Sequence, residues 1–151
     1  MLRIERATDM RLVREMLEEY GRATRVDLSF QNFDHELATL PYEYDPILVA
    51  WSDVQQAAGC VALRRIDDTV CEMKRLYVRP SFRGKAVGRA LAVEIIGEAK
   101  RRGFQRMRLD TLPSMHEAMR LYESLGFADI EAYRYNPVAG SRYMELDLTR
   151  S

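Results

Sequence analysis

Val78-Arg79-Pro80-Ser81-Phe82-Arg83-Gly84-Lys85-Ala86-Val87-Gly88-Arg89-Ala90-Leu91 reads as a turn opening into a helix, with the charge of that opening reversed. A helix N-terminus already carries about half a positive charge and several amides without intrahelical partners, so acidic side chains are its usual company. Here Arg83, Lys85 and Arg89 gather at the opening, and the first acidic residue inside the helix is Glu94. Cations in that place are favourable when an anion completes them, and phosphate or pyrophosphate is the simplest such anion. Gly84 and Gly88 let the backbone approach it. A P-loop is excluded, because the two glycines are too close and no Lys-Ser or Lys-Thr follows. A Gly-x-Gly-x-x-Gly dinucleotide fingerprint is absent.

Outward from this loop the order of elements is legible. Leu91, Ile95 and Ala99 form a core stripe that predicts a helix over about residues 87–102. Lys100-Arg101-Arg102 suits its C-terminus, and Gly103 suits the residue that ends it. Residues 47–51, 57–66 and 69–78 predict a meander of three strands before the helix. Residues 105–110 predict a strand after it, parallel to the strand before it, since a strand–helix–strand crossover is the usual solution. Upstream, residues 2–6 predict a short strand. Asp9 predicts the cap of a helix to about Arg22, and Phe30, Phe33, Leu37 and Leu40 a second helix that stops at Pro41. Downstream, Ser114 and Glu117 have capping-box spacing and predict a helix to Leu125 ended by Gly126. Residues 127–134 and 141–148 predict a final hairpin. The sum is β-α-α-β-β-β-α-β-α-β-β, an α/β chain with one mixed sheet and helices on its faces.

The chain's 151 residues amount to one domain, 1–151, with a sizeable core. Lys plus Arg and Asp plus Glu both number 23, so no global field favours nucleic acid or a membrane surface, and the anion site must be local. No apolar run approaches the ~20 residues of a membrane span, and the N-terminus has no signal-peptide pattern, so the expectation is a cytoplasmic protein. Two cysteines flank a hairpin whose Asp67-Asp68 turn predicts Cys71 opposite Arg64 and Cys60 opposite Arg75, too far apart to bridge. With two histidines and no Cys-x-x-Cys, no metal site is expected.

Arg83-Gly84-Lys85-Ala86-Val87-Gly88 resembles the acetyl-coenzyme A loop of the GNAT N-acetyltransferase superfamily: Gln or Arg, two residues, Gly, one residue, then Gly or Ala. The likeness extends from Glu72-Met73-Lys74-Arg75-Leu76-Tyr77-Val78-Arg79-Pro80 to Leu121-Tyr122-Glu123-Ser124-Leu125-Gly126-Phe127, and the element order agrees over nearly the whole chain. The resemblance implies a GNAT-like acyl-CoA N-acyltransferase fold. It also implies transfer of acetyl from acetyl-CoA to a primary amine of a small molecule or amino-acid-like substrate, in a ternary complex, by a protein compatible with a homodimer.

By the same resemblance, the backbone of Arg83, Gly84, Lys85, Ala86, Val87, Gly88 and Arg89 holds the pyrophosphate. The strand edge at Leu76, Tyr77 and Val78 pairs with the pantetheine arm. Tyr122 protonates the departing thiolate, a role a phenol of pKa ~10 can fill at neutral pH. Glu72 is the candidate general base; the competing reading is an ion pair with Lys74 or Arg75 on its own strand. Lys74 and Arg75 are unusual cations in mid-strand, and one of them, Arg75 for its bidentate fork, is a candidate for a substrate carboxylate or phosphate. Phe30, Tyr135 and Asn136 lie in the segments expected to border the acceptor, beside Tyr133 and Tyr143. Asp110 is expected to anchor the loop to Ser114, and His35 and His116 to lie on exposed helix faces.

Two departures from the family pattern stand out. Ala86 occupies the first loop Gly; a helical φ, which tolerates its methyl in a first turn, is expected there, whereas a positive φ or a very close backbone approach would weaken cofactor binding. Met115 stands where many members have an Asn. These motivate the alternative reading, a non-catalytic acyl-CoA sensor on the same fold.

Overall fold

A computed structural model describes residues 2–24 and 32–150. Seven strands and four helices follow in the expected order: β1 (Arg3–Arg6), α1 (Met10–Thr24), α2 (Phe33–Ala38), β2 (Tyr44–Trp51), β3 (Ala57–Arg65), β4 (Val70–Val78), a 3-10 turn (Pro80–Phe82), α3 (Val87–Arg101), β5 (Arg106–Thr111), α4 (His116–Ser124), β6 (Ala128–Ile130) and β7 (Arg142–Asp147). They form one sheet ordered β1-β2-β3-β4-β5-β7-β6. Among its pairings only β4 with β5 is parallel, and α3 is the crossover between them. Phe30 lies outside the described residues, so the second helix is described from Phe33. No helix of the described residues is long and apolar enough to cross a membrane.

Each face of the sheet has its own core. Helix α3 turns Val87, Leu91, Ala92, Ile95 and Ala99 inward, onto Val61, Leu63, Met73 and Met107 of the strands, with Tyr122 of α4 in the same cluster. Helix α1 buries Val13, Met16 and Leu17 against Tyr44, Val49, Cys60 and Tyr77 on the other face. Asp9 caps α1 as its position predicts: its Oδ1 accepts from the amides of Arg11 and Leu12 at 3.0 and 3.3 Å.

Gly59 sets how closely β3 and β4 approach. A Cβ built there would lie 2.3 Å from the Tyr77 carbonyl oxygen and 3.2 Å from Leu91 Cδ1, so only glycine lets the two strands and α3 meet at this point.

Two local expectations are corrected. The β3–β4 loop is one residue longer than a two-residue turn, because the amides of Ile66 and Asp67 both donate to the Val70 carbonyl. Cys71 therefore faces Arg65, not Arg64. A further register shift between Cys60 and Ala62 moves Cys60 opposite Tyr77, not Arg75, and both thiols are buried and free. The Ser114–Glu117 box is also not formed: α4 begins at His116 behind Met115, with no side-chain cap.

Candidate active site between strands β4 and β5

The parallel pair β4–β5 is hydrogen-bonded only at its start, where Val70, Cys71 and Glu72 face Arg106, Met107 and Arg108. Beyond that point β4 stays with β3 as far as Val78, and β5 stays with β7 as far as Thr111. The two strands part company, leaving a wedge that exposes the inner edge of β4.

A bulge in β4 shapes this wedge. Cys60 pairs with Tyr77 and Ala62 with Lys74, so the one β3 residue between them, Val61, is matched by two of β4, Arg75 and Leu76. Arg75 takes a left-handed φ of 60° to absorb the extra residue. Met73 and Leu76 both pack into the α3-side core, and the two residues between them, Lys74 and Arg75, turn to the opposite face together. Their partners there are Asp110 and Glu36. Strict alternation would have sent one of these cations into the apolar core.

At the mouth of the wedge the chain turns through Gly84 (φ 78°) and Ala86 (φ 61°) into α3. Ala86 is the N-cap residue and no side chain caps the helix. The first turn also holds no acidic residue, so its amides are left for an external acceptor. The helical φ expected at Ala86 is corrected: the residue is left-handed, a conformation that costs an L-residue roughly 1–2 kcal/mol. Arg83 Nε donates to the Val78 carbonyl at 3.2 Å, Lys85 Nζ lies 5.8 Å from the Phe82 ring centre, and Arg89 donates to Ser124 Oγ at 3.1 Å. Gly88 faces no tight contact, since a Cβ there would sit 3.5 Å from Val78. Protein packing therefore does not require glycine at that position.

Deeper in, a small cavity is bordered by Lys74, Leu76, Asp110, Met115 and Tyr122. The Tyr122 ring is edge-on to Phe127, 5.7 Å between centres, and burial pushes its phenol well above the ordinary tyrosine value. Its proton is therefore held firmly at neutral pH. Thr111, also on the cavity wall, has a buried hydroxyl with no hydrogen-bond partner.

Glu72 is fully buried and does not border this cavity. Its carboxylate accepts from Arg64 at 2.9 Å, from the Tyr133 hydroxyl at 2.6 Å and from Arg134. Burial alone would raise its pKa, but Lys74, Tyr133, Arg134 and Arg64 together outweigh that and hold it below the usual carboxylate range. Such a carboxylate is a weak proton acceptor. The pairing with Lys74 or Arg75 weighed from sequence also gives way. Arg75 is taken by Glu36, in a bidentate pair at 2.9 and 2.8 Å, with its guanidinium over the Tyr20 and Phe33 rings. Arg75 borders the cavity, but its Nε–Nη2 fork is occupied by Glu36.

The other expected acceptor contacts divide. Tyr135 is 79% exposed. Asn136 folds back on its own turn, Oδ1 accepting from the Val138 amide, and its Nδ2 is buried without a partner. Tyr77 turns its side chain away from the wedge and donates to Glu19, so only its backbone remains for the gap. The residues missed from sequence are Arg64, Arg134 and Asp110. Arg134 meets Glu72 across 62 positions of chain, and no local spacing signals such a pair.

The acetyltransferase (GNAT) family model matches residues 11–127. An uncharacterized N-acetyltransferase of Schizosaccharomyces pombe is 43% identical, over 92% of this chain and 86% of the relative. Among solved structures, an acetyltransferase of the GNAT family from Staphylococcus aureus superposes with a TM-score of 0.81 at 18% identity, covering 98% of this chain and 99% of that one. The yncA protein of Salmonella typhimurium, solved with its cofactor acetyl-CoA, does so with a TM-score of 0.71 at 25% identity, covering 100% and 96%.

Proposed function

The chain belongs to the acetyltransferase (GNAT) family, and from that premise we propose that it moves the acetyl group of acetyl-CoA directly to a primary amine of a small molecule. One observation carries this reading. The uncapped, cation-flanked start of α3 adjoins the end of β4, where Arg83 Nε donates to the Val78 carbonyl and Gly88 lies beside Val78, so one elongated anionic thioester could reach from this start into the β4–β5 wedge.

The residues fit that group. Amides of Val87, Gly88 and Arg89, with Arg83 and Lys85 beside them, suit a pyrophosphate. The unpaired β4 edge at Leu76 to Val78 suits an amide-bearing arm that hydrogen-bonds like a strand. Acetyl-CoA supplies an activated acetyl thioester, so the protein has only to position the amine and manage protons. Tyr122, buried at the cavity wall, holds a proton at its hydroxyl that it can donate to a leaving thiolate. Glu72 acts in this reading as a positioning residue: it ties the segment carrying Tyr133 and Arg134 to β4 and so shapes the acceptor side.

Direct transfer is favoured over an acyl-enzyme. Burial pushes both thiols, Cys60 and Cys71, up to about 12, where a cysteine is a poor nucleophile. The test is release of free thiol from acetyl-CoA across a panel of amines. Amine-dependent release is expected, and an acetyl-CoA complex that releases none with any amine would favour the sensor reading.

A further inference from the structure

Three ion pairs meet on the acceptor side of the wedge, and one differs from the others. Arg75–Glu36 is closed by two short hydrogen bonds, and Glu72 is saturated by three donors. Lys74 and Asp110 are just as buried, with side chains 7% and 5% exposed, yet Nζ and Oδ1 stand 3.6 Å apart. That is beyond hydrogen-bond reach. Among the described residues neither group has a side-chain hydrogen bond, and both border the cavity next to Tyr122. Buried charges are ordinarily satisfied, because an ammonium or carboxylate out of water without partners is costly. Burial and the neighbouring Arg75 charge already lower the Lys74 pKa. Both residues border the space that the acetyl-transfer reading gives to the acceptor.

We propose that Lys74 and Asp110 are a recognition pair for a zwitterion, so that the acceptor is an amino acid whose carboxylate binds Lys74 and whose amino group is held by Asp110. This rests on the acetyl-transfer reading. The pair is net neutral, and so is the ligand. A simple amine would add a third cation beside Lys74 and Arg75 and bring Lys74 no anion. A simple acid would leave Asp110 uncompensated. The unpaired Thr111 hydroxyl on the same wall offers one further hydrogen bond. Opening the 3.6 Å contact breaks no hydrogen bond, and a zwitterion replaces each charge's partner, whereas opening the Arg75–Glu36 fork would forfeit two charge-assisted bonds.

The experiment measures binding, so it does not depend on turnover. Saturation-transfer NMR, on the protein with and without CoA, compares the common amino acids with their primary amides and decarboxylated amines. At least one amino acid is expected to bind about tenfold or more tightly than its amide, the worth of one charge-assisted hydrogen bond. Lys74→Met is expected to erase that preference, and Asp110→Asn to weaken amino acid and amide alike. The double variant Lys74→Met/Asp110→Leu removes both charges, a replacement buried pairs often tolerate, and must fold while showing no preference for the carboxylate. Amides or simple amines binding the wild type as well as amino acids would overturn the proposal. So would a preference that survives Lys74→Met, or no binding of any amino acid. Failure of CoA itself to bind would instead overturn the acetyl-transfer reading, while the CoA-free arm still tests the pair.

Discussion

Tyr133 donates to Glu72 Oε2 at 2.6 Å from 61 residues further along the chain, and in doing so fastens the segment before β7 to the strand that borders the wedge. Arg64 closes the same carboxylate from β3 at 2.9 Å. This border of the wedge is therefore assembled around a buried carboxylate held by three donors.

Replacing Glu72 by Gln removes that anion and leaves Arg64 and Arg134 uncompensated, which should destabilise the fold by about 3 kcal/mol. The depressed pKa of Glu72 also fixes the sign of a pH effect. Its contribution is complete above the unfolded-state value of about 4.3 and is lost as pH falls through the lower folded-state value. Urea unfolding from neutral to acid pH should show a decline in the wild type that is smaller in Glu72→Gln. Equal declines in the two proteins would contradict the assignment.

Tyr122→Phe keeps the ring against Phe127 and removes only the hydroxyl. If that hydroxyl supplies the leaving group's proton, kcat should fall by about 100-fold, with acetyl-CoA affinity unchanged. Steady-state kinetics beside calorimetric binding separates the two, and wild-type kcat in the variant would remove the acid role.

Ala86→Gly relieves a left-handed alanine at the start of α3. The gain should be about 1 kcal/mol, after the glycine's greater freedom in the unfolded chain is set against the strain. Chemical denaturation reads it as a raised midpoint at constant slope, whereas a lowered midpoint would mean that the methyl makes a compensating contact.

Much of this architecture is visible in the sequence, for identifiable reasons. The Asp9 cap, the α3 stripe and the order of strands rest on contacts local in the chain, so spacing reports them. The reversed charge at Arg83 and Lys85 is legible because few purposes other than anion binding collect cations there. Other features depend on geometry that spacing does not encode. The bulge at Arg75 shifts the β3–β4 register and turns Lys74 and Arg75 to one face, and nothing in the residue types marks it. Alanine at position 86 suggests a helical φ, and the loop imposes the opposite. Asp110 is expected from sequence to anchor the loop to Ser114, because its meeting with Lys74 depends on the β4–β5 register, which sets Glu72 against Arg108. The Ser114–Glu117 spacing is a true pattern without its cap, since α4 takes Met115 as its N-cap and starts one residue later.

In the proposed complex one ligand spans the α3 start and the β4–β5 wedge, and amide chemical shifts during an acetyl-CoA titration report on both segments at once. Acetyl-CoA should perturb the amides of Gly84 to Arg89 together with those of Leu76 to Val78, in a single saturable process that Arg83→Ala weakens at both places. Perturbation confined elsewhere, or at only one of the two segments, would contradict it.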